Sequence, residues 1–441
     1  MDNEQLSIQA TFDKVFISEG GQSTRFLVIE VTAPKKSRQA QAKPLNLAIV
    51  IDVSDSMTGK PLDAAKKAAI GVIKLLKETD MVSVVSFADD VRVHCEGKQL
   101  NARNKKDCIQ AIEKLHVRGN TNLCDGWLVG ADCVAKIMEG NADMQNHVIV
   151  LSDGYANLGI TDPKEIRHHA LNLRTRGVLT SAVGIGDGYS PAQLEALAEY
   201  GGGRIHDAQH PGEIIEVVLG QLRELSNTVM DDVIVKIEFP PVNSIRNVSG
   251  FPSKFSDTRV TTYFGSFVSE AQRTCVYRIT TPEGLYNDQL DVKISTSYRP
   301  VGSNKAVAGA STNAVLTFTD SESNKKQLRN LPISALVART WQAAVVRHVV
   351  ELNRLLKFDE ASKYLDRHLE RFITYCDGLP ETSALVKELV HMRSVAHTRW
   401  DERSRKEMQL ASYQSTYNQL DSRSVQRQGW STFLPPFQDG K

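Results

Sequence analysis

Three short stretches of the 441-residue sequence carry oxygen donors at spacings that suit a hard cation. In Asp52-Val53-Ser54-Asp55-Ser56-Met57, one carboxylate and two hydroxyls fall at alternate positions of a single loop. Gly119-Asn120-Thr121-Asn122-Leu123 reads as a turn that opens a helix and offers the Thr121 hydroxyl. Leu151-Ser152-Asp153-Gly154 supplies a second carboxylate. Asp52, Ser54, Ser56, Thr121 and Asp153 thus provide two carboxylates and three hydroxyls, with no His or Cys among them. Oxygen-only donors suit Mg²⁺, Mn²⁺ or Ca²⁺ and disfavour zinc. So few charged ligands leave an ion electrophilic, with affinity for one more anionic oxygen from outside. The competing reading is that these side chains only cap loops and helices, a role to which Asp, Ser and Thr are well suited.

The elements that must position these residues are legible around them. LNLAIVID (45–52), MVSVVSF (81–87), HVIVLSD (147–153) and VLTSAVGIG (178–186) are near-continuous apolar runs of strand length. Such runs suit strands of a parallel sheet covered on both faces. Helical spacing separates them: Leu62, Ala65, Ala69, Val72, Ile73 and Leu76 fall on one stripe, and similar patterns cover 104–115, 122–139, 162–176, 191–200 and 213–225. RIHDA (204–208) is a further short strand. Alternation of strand and helix predicts an α/β domain, and the donors sit at the carboxyl ends of its strands, where open sheets bind ligands.

On these motifs the segment 45–229 resembles a von Willebrand factor A domain with a metal-ion-dependent adhesion site. The resemblance rests on DVSDSM, NTNL and LSDG, in that order and on those strands. It implies a Rossmann-like fold with a mostly parallel sheet and helices on both faces. It also implies that Ser54, Ser56 and Thr121 bind a divalent ion directly, with Asp52 and Asp153 as the acidic pair. A partner's Asp or Glu would complete the coordination, and the last helix, 213–225, would shift along the sheet on binding. One position departs from the pattern: Asp55 stands where the family usually has glycine.

From 230 the apolar period becomes two, as in DVIVKIEF (232–239), then VTTYFGSF, TCVYRITT, LDVKISTSY and AVLTFTD. This predicts an antiparallel β-sandwich. The N-terminal runs LSIQATF and TRFLVIEVTAP are strands without neighbours of their own, so 1–44 is assigned with 230–320 to one β-domain into which 45–229 is inserted. From 332 the period becomes 3.6, with stripes at Val337, Trp341, Val345, Val349, Leu352 and Leu356, at Ala361, Leu365, Leu369 and Phe372, and at Leu385, Leu389, Met392 and Ala396. A C-terminal helical region is expected over 332–420 and a polar tail over 421–441, in which Trp430 and Phe433 offer apolar contacts. This layout resembles bacterial von Willebrand factor A proteins with a flanking β-domain and C-terminal helices.

Composition excludes several classes. Lys+Arg is 53 against Asp+Glu 52, a net charge of +1 that gives no support to nucleic-acid or membrane-surface binding. Six cysteines without a CxxC pair argue against a disulfide scaffold, a zinc ribbon and a thioredoxin-type centre. No signal peptide or membrane span is visible, so a cytoplasmic protein is expected. There is no GxxxxGK[ST], and no His pairs with a Ser or Cys as a nucleophile would require. Gly184-Ile185-Gly186-Asp187-Gly188 reads as a tight turn rather than a dinucleotide fingerprint. The expectation is therefore a non-enzymatic, metal-dependent protein-interaction module with Mg²⁺ (or Mn²⁺ or Ca²⁺) as its ion. By family analogy the partner is one offering Asp or Glu, such as a MoxR-type AAA+ ATPase. The alternatives are a metal-dependent hydrolase, for which no general base can be nominated, and a scaffold with a vestigial metal site.

Overall fold

The computed structural model describes residues 6–412 apart from 37–42, 142, 187–188, 190, 209–210, 302, 304, 402–403, 406 and 410. The tail at 421–441, with Trp430 and Phe433, lies outside the described residues, as do the end of the helical region and the last two residues of the Gly184–Gly188 stretch. No helix among the described residues is long and apolar enough to cross a membrane.

The chain begins with β1 (Ser7–Phe12), β2 (Phe16–Ser18) and β3 (Thr24–Thr32). It then builds the α/β unit from β4 (Leu45–Asp52), α1 (Lys60–Leu75), β5 (Met81–Phe87), β6 (Val91–Gln99), α2 (Ala102–Glu113), α3 (Leu123–Met138), β7 (Gln145–Ser152), α4 (Pro163–Thr175), β8 (Leu179–Ile185), α5 (Pro191–Tyr200), β9 (Gly202–Ala208) and α6 (Pro211–Asn227). Its sheet runs β6-β5-β4-β7-β8-β9, parallel except for β6. Every residue of β4, β7 and β8 is buried, as their unbroken apolar text requires. α1, α2 and α6 share one core against the sheet, and α3, α4 and α5 cover the opposite face. β5 lies on one side of β4 and β7 on the other, so the winding direction reverses between β4 and β7. The crevice that this reversal opens is where a ligand site is built.

α3 is drawn close to the sheet because Gly126 and Gly130 stand one helical turn apart against it. A Cβ at either would overlap the Phe87 ring or the Val50 side chain. Between the two glycines the helix is also tied to β8 by the Trp127 indole N–H, which donates to Thr180 Oγ1 at 3.0 Å.

Beyond α6 the chain forms β10 (Thr228–Glu238), β11 (Ser244–Asn247), β12 (Ser253–Ser256), β13 (Arg259–Val268), β14 (Gln272–Thr280), β15 (Gln289–Pro300) and β16 (Val307–Thr319). With the N-terminal strands these make two sheets, β1-β3-β14-β11 and β12-β13-β10-β15-β16-β2. β3 pairs with β14 along its whole length, from Thr24↔Thr280 to Thr32↔Gln272, so strands from both sides of the α/β unit share one sheet. The join is clamped by a buried cluster in which Arg174 of α4 and Arg299 of β15 both meet Asp232, a residue at φ 49° in the bulge of β10.

The C-terminal region comprises α7 (Ser321–Lys326), α8 (Leu331–Arg354), α9 (Phe358–Cys376) and α10 (Ser383–Val395). Val345, Val349, Leu365, Phe372, Leu389 and Met392 form its core. It packs on the outer face of the four-stranded sheet, where Phe26 meets Trp341 and Tyr375 at ring centroids 5.6 and 5.1 Å apart.

Four features differ from the sequence reading. β6 has no counterpart in it, although Val91, Val93 and Cys95 alternate with Arg92, His94 and Glu96; at this sheet edge only Cys95 of the apolar three is buried. β2, β11, β12 and α7, also without counterparts, are too short to show a period. β7 begins at Gln145, so His147 lies within the strand rather than at its start. Leu356 does not belong to the α8 stripe: it is exposed, at φ 59°, in the turn to α9.

Candidate metal centre

The carboxyl ends of β4 and β7 place the two acids. Asp52 is the last residue of β4 and wholly buried, and Asp153 follows β7 directly. After Asp52 the backbone turns sharply: the Ser54 N–H donates back to Asp52 Oδ1 at 2.9 Å, and a short 3₁₀ turn, Asp55–Met57, follows. This turn brings Ser54 Oγ and Ser56 Oγ to 3.0 Å of each other. Ser56 Oγ donates to Asp153 Oδ1 at 2.7 Å, which joins the β4 and β7 loops.

Thr121 arrives from the loop before α3. That loop is tied to the first by Asp55 N–H donating to the Gly119 carbonyl (3.0 Å) and Arg118 N–H to the Val53 carbonyl (2.7 Å). Gly119 sits at φ +59°, and a Cβ there would overlap the Asp89 carboxylate, which binds Asn120 through both its backbone and side-chain N–H. Asn157 holds Thr121 from the third loop: its Oδ1 accepts from Thr121 N–H at 2.9 Å, and its own N–H donates to the Thr121 carbonyl at 3.1 Å.

All five residues named from the sequence therefore meet at one rim. A Cβ placed on Gly154 would lie 3.0 Å from Thr121 Oγ1 and 3.5 Å from Asp52 Oδ2, so glycine leaves a cradle faced by oxygens from two loops. Asp55, the departure from the family pattern, is exposed and outside this ring of donors. Support that the sequence reading passed over comes from Ser152, whose hydroxyl donates to Asp52 Oδ2 at 2.5 Å and accepts from Gly154 N–H at 3.2 Å. Asp89 and Asn157 were also unrecognised, since each acts on the loop backbone rather than on the shared centre.

The electrostatics fit a cation. Burial pushes the Asp52 carboxyl up from 3.8 to about 6, opposed by hydrogen bonds from Ser152 and Ser54 and reinforced by the charge on Asp153. Two carboxylates so close in a desolvated crevice repel, and a divalent ion between them would remove that cost. No cluster of three or more His, Cys, Asp or Glu able to hold a metal exists among the described residues. A site here must therefore use hydroxyls, and the donors present are such a set. Elsewhere the ionisable groups read as structural. His147 is buried, accepts or donates through Nε2 to Ser181 at 2.9 Å, and is pushed down to about 3 by burial. Cys124 and Cys133 are buried within α3.

A doubly wound α/β unit with an oxygen-only cluster at its switch point, carried on a β-sandwich with a helical cap, defines a class. Residues 46–217 match the family model of the von Willebrand factor type A domain, and the chain carries a domain of that family. A curated relative, the uncharacterized protein sll0103 of Synechocystis, is 31% identical over 223 residues, 50% of this chain and 50% of its own. The chain spans half or less of the length of the first curated relatives it matches. Among solved structures, a von Willebrand factor type A protein from Catenulispora acidiphila aligns with TM-score 0.68 at 16% identity, over 93% of this chain and 98% of that one. The ArnB paralog VWA2 of Sulfolobus acidocaldarius aligns with TM-score 0.60 at 13% identity, over 94% and 98%. Both likenesses extend beyond the α/β unit, so the whole arrangement of domain, β-sheets and helices is a shared fold.

Proposed function

We propose that this protein is a metal-dependent interaction module, which binds a partner protein's carboxylate through a divalent cation at the β4–β7 rim. Domains of this family serve as protein-interaction modules, and the rim has the donor set for that role. The observation that carries the reading is the convergence of Ser54, Ser56 and Asp153 by direct hydrogen bonds, with Thr121 and Asp52 facing the Gly154 cradle. Asp52, Ser54, Ser56, Thr121 and Asp153 would hold the ion, and Mg²⁺, Mn²⁺ or Ca²⁺ suits their oxygens. The ion supplies a Lewis-acidic position open to an anionic oxygen. The chain's own part is to fix the donors through backbone hydrogen bonds and to keep the acids out of water.

No residue at the rim is placed as a nucleophile or general base for hydrolysis. His94, on β6, is bonded to Ser86 Oγ at 2.7 Å, and the other histidines described above lie in structural roles. The interaction reading needs only the donors present. Its test is binding of a carboxylate-bearing partner, with a MoxR-type AAA+ ATPase as the first candidate, in Mg²⁺ and in EDTA, alongside Asp52→Ala. Binding that needs both the ion and Asp52 supports the proposal. Partner binding unchanged by EDTA and by Asp52→Ala would reduce the rim to a scaffold, and turnover of phosphoesters would favour a hydrolase.

A further inference from the structure

A second charged surface lies on the helix-covered face of the β-sandwich. Register places Phe26, Arg278 and Arg246 side by side across β3, β14 and β11, with β11 at the sheet's edge. α9 crosses above this row. Its Tyr375 packs on Phe26, and Arg371, Arg367 and Tyr364 follow at successive turns of the helix. One end of this surface is thus an aromatic contact and the other carries four arginines.

These charges act on the groups set between them. Arg278 is held below the usual arginine range by burial and by the adjacent charges of Arg371 and Arg246. His368 is pushed down to about 4 by burial, then by Arg278, Arg367 and Arg371. Like charges opposite each other in a sheet, or one turn apart on a helix, oppose folding, and here two such pairs face each other. Among the described residues Arg246, Arg278, Arg367 and Arg371 form no salt bridge, and the nearest carboxylate in sequence, Asp366, is bound by both Nε and Nη2 of Arg393. Glu370, also beside them in sequence, forms no ion pair among the described residues.

We propose that this cationic surface, formed by the sheet edge and α9, docks an acidic protein segment, whose Asp or Glu carboxylates pair with Arg246, Arg278, Arg367 and Arg371. The guanidinium fork matches a carboxylate with two parallel bonds. Arg246, Arg367 and Arg371 are exposed along the sheet edge and α9, which suits an extended chain rather than an enclosed small molecule. Nucleic acid fits less well. The Tyr364 ring packs against both His348 and His368, each at a centroid distance of 4.3 Å, so it is not an open platform on which a base could stack. The chain's net charge of +1 also provides no broad basic field.

The test is titration of the full chain with a fluorescent Asp/Glu-rich peptide in EDTA, so that the β4–β7 rim cannot contribute through a metal. Inorganic pyrophosphate and a single-stranded oligonucleotide serve as competitors. The proposal expects saturable peptide binding at low salt, weakening as salt rises. It also expects a Kd at least roughly tenfold higher in Arg246→Gln/Arg371→Gln, the effect of losing charge-assisted contacts. Both substitutions are at exposed positions, and circular dichroism of the variant checks that it is folded. Absence of peptide binding by the wild type, equal binding by the folded double variant, or tighter binding of the oligonucleotide or pyrophosphate would each overturn it.

Discussion

Asp52→Asn separates the cost of the buried acid from its use. Asp52 is wholly buried, and its carboxyl is displaced from 3.8 to about 6, chiefly by burial. That displacement corresponds to about 3 kcal/mol of destabilisation once the acid is charged. Because the folded-state value lies above the ordinary one, the penalty is absent below about 3.8, grows between there and about 6, and is complete at neutral pH. Asparagine removes the charge and can keep both contacts: its oxygen accepts from Ser54 N–H, and its amide donates to the Ser152 hydroxyl, which can rotate to accept. In EDTA at neutral pH the variant should therefore unfold at higher denaturant than the wild type, by up to about 3 kcal/mol, and the gap should close as pH falls below about 4. In Mg²⁺ at about a hundred times its Kd the wild type should gain about 2.7 kcal/mol and the variant little. The assay is urea unfolding followed by fluorescence and circular dichroism, in EDTA and in Mg²⁺, across pH. A variant less stable than wild type in EDTA at neutral pH, or one that gains as much from Mg²⁺, would refute the reasoning.

Further outcomes follow from named contacts. Gly154→Ala puts a methyl 3.0 Å from Thr121 Oγ1 and should weaken Mg²⁺ binding in calorimetry while the circular dichroism spectrum is retained. Gly126→Ala overlaps the Phe87 ring and should cost about 1–3 kcal/mol in denaturant unfolding, by lifting α3 from the sheet. Arg174→Ala strips Asp232 of its closest partner in a buried cluster and should cost about 3–5 kcal/mol; Arg174→Lys should recover only part, since the fork is lost. Trp127→Phe leaves Thr180 Oγ1 without its indole donor and should cost about 1–3 kcal/mol, read from the same unfolding curves.

The rim could be read from the sequence because its chemistry is local. Donors stand within a few residues of the ends of apolar runs, and those runs can only be buried parallel strands. The turn at Asp55 was legible in type but not in direction; the hydrogen bond from its N–H to Gly119 turns the backbone so that the carboxylate faces solvent. Ser152 and Asn157 escaped notice because their role depends on which loop lies opposite, and only the tertiary structure decides that. β6 is a different case: Val91, Val93 and Cys95 alternate with polar residues, but the run is short, half polar and mostly exposed at the sheet edge, unlike the unbroken apolar text of its neighbours. The cationic surface was invisible because Arg246, Arg278 and Arg371 are far apart in sequence and meet only through strand register and the crossing of α9. α6 runs directly into β10, where Asp232 is gripped by Arg174 and Arg299. Any shift of α6 along the sheet must therefore strain or break that cluster, a constraint that the apolar face of Ile214, Val218 and Leu225 does not disclose.

The most direct measurement is the anomalous scattering of Mn²⁺ in crystals of the full chain. A single strong peak is predicted at the rim, within coordinating distance of Ser54 Oγ, Ser56 Oγ and Thr121 Oγ1 and beside the carboxylates of Asp52 and Asp153. A rim without a peak in crystals that scatter Mn²⁺ elsewhere, or a peak coordinated by none of these five residues, would contradict the account.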